Sequence, residues 1–148
     1  MSYYHGTTIS NGNTIVSTQT FIPSNNFCKY GKGVYFFSNT VDTETYIKYD
    51  IRQNSHLLEA DIYTSTFYIL TFEKFAEVFS ETNTTSSMVD VKKSNGKLKY
   101  LGTDWDKHFL FKGNKGLIVS DDNQNIIECV VYDLSTISNI RLNKVVTV

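Results

Sequence analysis

Three short segments carry the residues whose types could do chemistry together: Tyr4-His5-Gly6-Thr7, Gly31-Lys32-Gly33-Val34-Tyr35-Phe36, and Ile126-Ile127-Glu128-Cys129-Val130-Val131-Tyr132. They offer an imidazole, an aromatic ring and a carboxylate, the groups that cleavage of a nicotinamide–ribose bond calls for. As the ring leaves, the sugar acquires oxocarbenium character. A site then needs a fixed carboxylate beside the ribose, a hydrogen bond to the ribose hydroxyls and a flat platform for the departing ring. Glu128 could polarise the 2'-hydroxyl and stabilise the cationic sugar, and His5 could orient the adenosine ribose. Tyr35 could stack on nicotinamide, with Gly6 leaving its backbone open to the amide.

Each segment also has a plainer reading. His-Gly-Thr occurs in many turns. Gly31-Lys32-Gly33 can be no more than a flexible entry to a strand, and Phe36 stands where a dinucleotide-binding fingerprint would have its third glycine. A buried glutamate can be a structural ion pair with a lysine, and Tyr35 or Tyr46 can be core aromatics.

The elements that would position these groups are mostly strands. Residues 61–71 (Asp-Ile-Tyr-Thr-Ser-Thr-Phe-Tyr-Ile-Leu-Thr) are dense in β-branched and aromatic side chains, and 33–37, 116–120 and 125–132 are similar. Asp121-Asp122-Asn123-Gln124 is a turn-like cluster between the last two, which predicts a hairpin feeding Glu128 into the sheet. Period two puts Ile126, Glu128, Val130 and Tyr132 on one face of that strand and Ile127, Cys129 and Val131 on the other. A carboxylate between aliphatic residues is expensive unless it is paired or faces a cleft.

Helices are fewer. Between Thr40 and Gln53, Asp42 and Glu44 fall in a first turn, Asn39 or Thr40 can cap it, and Tyr46 shares a face with Tyr49 or Asp50. A second helix is expected over 72–81, with Phe75, Val78 and Phe79 at helical spacing. A third is expected to be capped within Thr103-Asp104-Trp105-Asp106 and to run toward Phe111. Residues 80–87 read as a polar loop, and Asn95-Gly96 as a hairpin turn between 89–91 and 98–100. The expectation is a single α+β domain over 1–148 with a bent, mostly antiparallel split sheet and a few short helices.

In chain order, His5, Tyr35 and Glu128 resemble the motif of the diphtheria-toxin and poly(ADP-ribose) polymerase branch of the ADP-ribosyltransferases. The resemblance implies that Tyr46 is the second tyrosine of the nicotinamide sandwich and that Thr43, three positions before it, replaces the usual serine. It thereby implies a cofactor-binding set of His5, Gly6, Thr7, Tyr35, Thr43 and Tyr46, with His5, Tyr35 and Glu128 catalytic and NAD as co-substrate. Lys115-Gly116-Leu117-Ile118-Val119 ahead of Glu128 also looks like the ending of small bacterial and phage domains of this superfamily. Ile126 stands two before Glu128, so the chain lacks the Glu-x-Glu or Gln-x-Glu pair of arginine- and asparagine-directed relatives. Arginine modification of that type is therefore not expected. A retained glutamate is compatible with chain elongation, but the resemblance to small toxin-like domains implies transfer of a single ADP-ribose to a macromolecule, nucleic acid or protein.

A net charge of −1 over 148 residues gives no uniformly basic face for nucleic acid. Lys92, Lys93, Lys97 and Lys99, with Tyr100 alongside, form a local basic stretch suited either to phosphate contact or to a solvated hairpin face. No apolar run approaches a membrane span, and the N-terminus shows no basic-then-apolar leader, so a soluble cytoplasmic protein is expected. Cys28 and Cys129 lack metal-site spacing, and no metal is expected. An NAD-consuming domain of this size would harm its own cell, which predicts an intracellular toxin of a toxin–antitoxin or phage-defence system held by an inhibitory antitoxin-type protein. Two rival readings remain: a metal-independent ribonuclease using His5 and His108 with a nearby lysine, and a noncatalytic module that binds NAD or ADP-ribose.

Overall fold

The computed structural model describes residues 1–23, 30–82 and 105–148, residues 76, 79, 80 and 82 by backbone alone. The Asn95-Gly96 turn, the basic stretch at Lys92, Lys93, Lys97 and Lys99, the Thr103-Asp104 cap and Cys28 lie outside the described residues. The fold is α+β, and its strand pairs are of mixed direction. The chain divides into two compact units: Met1–Phe21, Tyr35–Tyr63 and Leu134–Val148 in the first, and Ile22–Val34 with Thr64–Asp133 in the second.

In the first unit, β1 (Ser2–Thr8), β2 (Val34–Phe37), β3 (Ser55–Ile62) and β7 (Ile137–Val146) lie in the order β2-β1-β3-β7, every pair antiparallel. β3 is buried on both faces over its first four residues, Ser55 to Leu58, as a central strand covered from both sides must be. Leu57, fully buried, joins Ile47 and Val146 in one apolar cluster on which Tyr4 and Ile51 pack. At the polar end of the same face, the Arg141 guanidinium meets Glu59 and Asp61, tying β7 to β3.

Helix α1 (Ile9–Thr18) covers the other face, although its Ser, Asn, Gly and Thr content reads as loop. Two devices hold it. The Thr8 hydroxyl accepts from the Asn11 N–H as an N-cap. At the far end Gln19, in the left-handed region, forms a two-way amide bridge with Ile140, donating to its carbonyl at 2.7 Å and accepting from its N–H at 2.9 Å. Gly12 is in the helix interior because the helix lies hard against β3: a Cβ there would stand 2.4 Å from His56 Nδ1.

The expected helix after β2 forms, with a change of pitch. Asn39 is the cap: its Oδ1 accepts from the Asp42 N–H, and its Nδ2 donates to the Asp42 carboxylate at 2.9 Å. Helix α2 spans Thr40–Tyr46 and continues as a π turn over Ile47–Ile51, closed by the Arg52 N–H donating to the Ile47 carbonyl at 2.8 Å. Lys144 of β7 pairs with Glu44 of α2.

The second unit orders β4 (Tyr68–Thr71), β5 (Gly116–Ser120) and β6 (Ile126–Val131), with β4 parallel to β5 and β5 antiparallel to β6. Residues 61–71 are not one strand, contrary to expectation. The run is the end of β3, a turn in which the Phe67 N–H donates to the Thr64 carbonyl, and then β4. The β-branched Thr64 and Thr66 mask that break in the sequence. A short 3-10 turn (Phe72–Lys74) leads into α3 (Phe75–Thr82), which occupies the first residues of the polar segment expected to be loop from Ser80. Helix α4 runs over Trp105–Phe111, and its Trp105 and Phe109 are buried beside Phe75 and Tyr30.

Candidate functional site

Strand β1 pairs with β3 along its length, placing His5 opposite Leu58, Gly6 opposite Leu57 and Thr7 opposite His56. On its other side the pairing with β2 is at Tyr4↔Phe37. Followed two residues on, that register would set Gly6 across from Tyr35, and at this level the His5 imidazole meets the Tyr35 carbonyl, Nδ1 to O 2.8 Å. A carbonyl can only accept, so Nδ1 carries the proton and Nε2 is left as the ring's acceptor. Phe21 meets the imidazole edge-on at 5.1 Å between centroids, and Phe36 lies at 5.6 Å. Burial in this apolar setting pushes the His5 pKa down, against the smaller opposing effect of the carbonyl bond. The ring is therefore a neutral acceptor at neutral pH, suited to a ribose hydroxyl.

Residues directly opposite share a face, so Tyr4 and Gly6 of β1 lie on the face of Tyr35 and Phe37, and His5 lies on that of Phe36. The Tyr46 ring belongs with the first group. It is 5.6 Å from the Phe37 ring, and its Cδ1 would be 3.3 Å from a Cβ at position 6. Tyr46 is 38% exposed, so part of it remains open to a ligand. Its phenol pKa is raised, first by burial and then by Asp50. Gly6 also has a packing reason to be glycine, since a Cβ would stand 2.8 Å from Ile47 Cγ1.

Thr43 and Thr7 are buried. The Thr43 hydroxyl donates to the Asn39 carbonyl at 2.7 Å, so its proton is committed within the helix and only its oxygen lone pairs could receive an amide. The first unit thus brings His5 to Tyr35 and Gly6 to Tyr46, with Phe21, Phe37 and Ile47 as participants that sequence reasoning passed over. The Phe36-Phe37 doublet was a visible signal for one of them. Phe21 and Ile47 act through contacts distant in sequence and left none.

Glu128 belongs to the second unit. It lies mid-strand in β6 opposite Val119, just before a register shift, and is 8% exposed among Cys129, Val130 and Val131. The expected hairpin carries it: Asp121 accepts through one carboxylate oxygen from the N–H groups of Asn123 and Asn125, both at 2.9 Å. Burial also raises the Cys129 thiol pKa, making that group inert. The Gly31 and Gly33 pair has structural work in this unit. Gly31 adopts φ +90° against the Asp106 backbone, while a Cβ on Gly33 would stand 2.7 Å from the Val131 carbonyl.

His108 of α4 makes a local clamp. Its Nε2 and the Lys112 ammonium each lie 3.0 Å from the same Glu81 oxygen, and Lys112 foremost holds the Glu81 carboxyl below its ordinary pKa. Among the described residues, no group of three or more His, Cys, Asp or Glu could hold a metal ion, and no helix is long and apolar enough to cross a membrane. No family model, curated protein or solved structure matches the chain.

Proposed function

We propose that the protein is an NAD-dependent mono-ADP-ribosyltransferase acting as one catalytic domain over residues 1–148, of the kind whose site is read by His, Tyr and Glu in that order. The observation that carries this reading is the His5–Tyr35 bond. The imidazole of one motif residue donates to the backbone carbonyl of another 30 positions on at 2.8 Å, in the tautomer that leaves Nε2 able to accept from a ribose hydroxyl. The Tyr46 ring at the end of α2, beside Gly6 of β1, a residue with no side chain to obstruct an amide, adds a platform next to that strand.

In the reaction, the bond between ribose C1' and the nicotinamide nitrogen breaks, and its electron pair leaves with nicotinamide. The cationic sugar is met by a nucleophile of the acceptor, which loses its proton to water as the new bond to C1' forms. His5 and Tyr46 bind and orient NAD, Tyr35 supplies a stacking face, and Thr7 and Thr43 line the pocket. Glu128 is the catalytic carboxylate, holding the 2'-hydroxyl and favouring the cationic sugar over the neutral ground state. The acceptor is a macromolecule, nucleic acid or protein. The biological role is that of a cytoplasmic toxin in a toxin–antitoxin or phage-defence system, restrained by an inhibitory partner protein.

The test incubates the purified chain and Glu128→Ala with labelled NAD and whole-cell lysate, dividing each sample between protease and nuclease. Glutamate-dependent label that survives only protease identifies a nucleic-acid acceptor, and label that survives only nuclease identifies a protein. Absence of both label and released nicotinamide would refute the enzyme. Expression without the partner should arrest growth and Glu128→Ala should relieve the arrest; equal toxicity of the variant would end the toxin proposal.

A further inference from the structure

We propose that Ile47, seated in the notch left by Gly6, is the positioning residue that sets the Tyr46 ring for ligand contact; the ligand itself rests on the NAD reading above. Ile47 is fully buried and Tyr46, its neighbour, is 38% exposed. Adjacent helical residues point about 100° apart, so one can anchor while the other stands at the rim. The anchor is tight: a Cβ at position 6 would lie 2.8 Å from Ile47 Cγ1, 3.2 Å from its Cδ1 and 3.3 Å from Tyr46 Cδ1. Only glycine lets the helix approach β1 this closely.

The helix changes pitch at the same residue. The Ile47 N–H still points back to the carbonyls of Glu44 and Thr43, as in an α-helix, whereas its own carbonyl receives the Arg52 N–H five residues on. Leu57 and Val146 close the pocket around its side chain. Depth of insertion of Ile47 therefore fixes the height of Tyr46 above the strand, and a displacement of one moves the other.

The experiment uses the full chain with fluorotyrosine incorporated, the Tyr46 fluorine resonance being assigned by its loss in Tyr46→Phe. Gly6→Ala should shift that resonance without NAD present and should raise KM for NAD about tenfold, leaving kcat within about twofold, because a displaced stacking face weakens ground-state binding. Ile47→Ala should also move the resonance, while Ile47→Val, which keeps the branch carbon at the notch, should not. In Gly6→Ala with Ile47→Ala, the added methyl occupies vacated space, so resonance and KM should both return toward those of the parent. An unmoved resonance in Gly6→Ala and Ile47→Ala, or a double variant that sums the two losses, would overturn the proposal. Should Gly6→Ala fail to fold, the contrast between Ile47→Val and Ile47→Ala decides. A parent chain that binds no NAD would refute the NAD reading, and the resonance would still report whether Ile47 sets Tyr46.

Discussion

The Nδ1–H of His5 donates to the Tyr35 carbonyl at 2.8 Å, fixing which ring nitrogen can accept from a ligand. Burial lowers this imidazole's pKa below its ordinary 6.5, so Nε2 keeps its lone pair through neutrality and for some distance below. NAD affinity should therefore hold from neutral pH down past 6.5 and fall only at more acid pH. His5→Gln, whose amide can still donate and accept but does not titrate, should flatten that fall. The same shift has a sign for stability. The unfolded chain takes up the proton first, so the contribution is complete above 6.5 and is lost as pH drops toward the folded pKa. Calorimetric titration of NAD across pH, paired with urea midpoints, checks both; an affinity loss beginning above 6.5 would contradict this assignment.

Tyr35→Ala and Glu128→Gln should fail in different ways. Loss of a stacking face costs about 1 to 3 kcal/mol on the scale of base stacking, or roughly tenfold and more in NAD affinity. Glu128→Gln keeps the shape of a side chain that is 8% exposed and removes only its charge. Binding should then stay within about threefold while nicotinamide release slows about a hundredfold, the pattern of an interaction made mainly in the transition state. Thermal melts of both variants provide the control. If both unfold, with no selective effect on binding or rate, these residues are structural.

What was legible in the sequence was whatever depended on neighbours. Asn39 reads as a cap because its partner is Asp42, and the turn at Asp121 reads as a hairpin because its acceptor serves Asn123 and Asn125. Helix α1 was hidden because its own residues favour caps and turns; it is held by the Gln19 bridge to Ile140, 121 residues away. The break in 61–71 was hidden because Thr64 and Thr66 have strand propensity, and no glycine or proline marks the turn. At the candidate site, His5 and Tyr46 could be named, yet the contacts that orient them, through Phe21 and through Ile47 against Gly6, arise only once the chain is folded.

The His108 clamp offers a test between the transferase and ribonuclease readings. His108 and Lys112 share one Glu81 oxygen on a partly exposed helix surface. Exposed pairs of this kind contribute about 0 to 1 kcal/mol, so His108→Ala should cost little stability and leave nicotinamide release unchanged. The parent and this variant should both leave RNA intact in the absence of NAD. RNA cleavage that needs no NAD and disappears with His108 would instead establish the acid–base role in a nuclease.

Gly12 should resist substitution for a reason helix propensity gets backwards. Alanine in a helix interior is ordinarily favoured over glycine by about 1 kcal/mol. Here the added methyl would stand 2.4 Å from His56 Nδ1 and 2.8 Å from its Cβ, and His56 cannot easily retreat. It is 6% exposed on β3, held in register with Thr7 on one side and Val145 on the other. Overpacking of this order costs about 1 to 3 kcal/mol, so Gly12→Ala should lower the urea midpoint despite the propensity gain. In a His56→Ala background the ring is gone but the Cβ at 2.8 Å remains, so the same substitution should cost clearly less than in the parent without becoming fully neutral. An equal loss in both backgrounds would place the strain in the helix itself and not at its contact with β3.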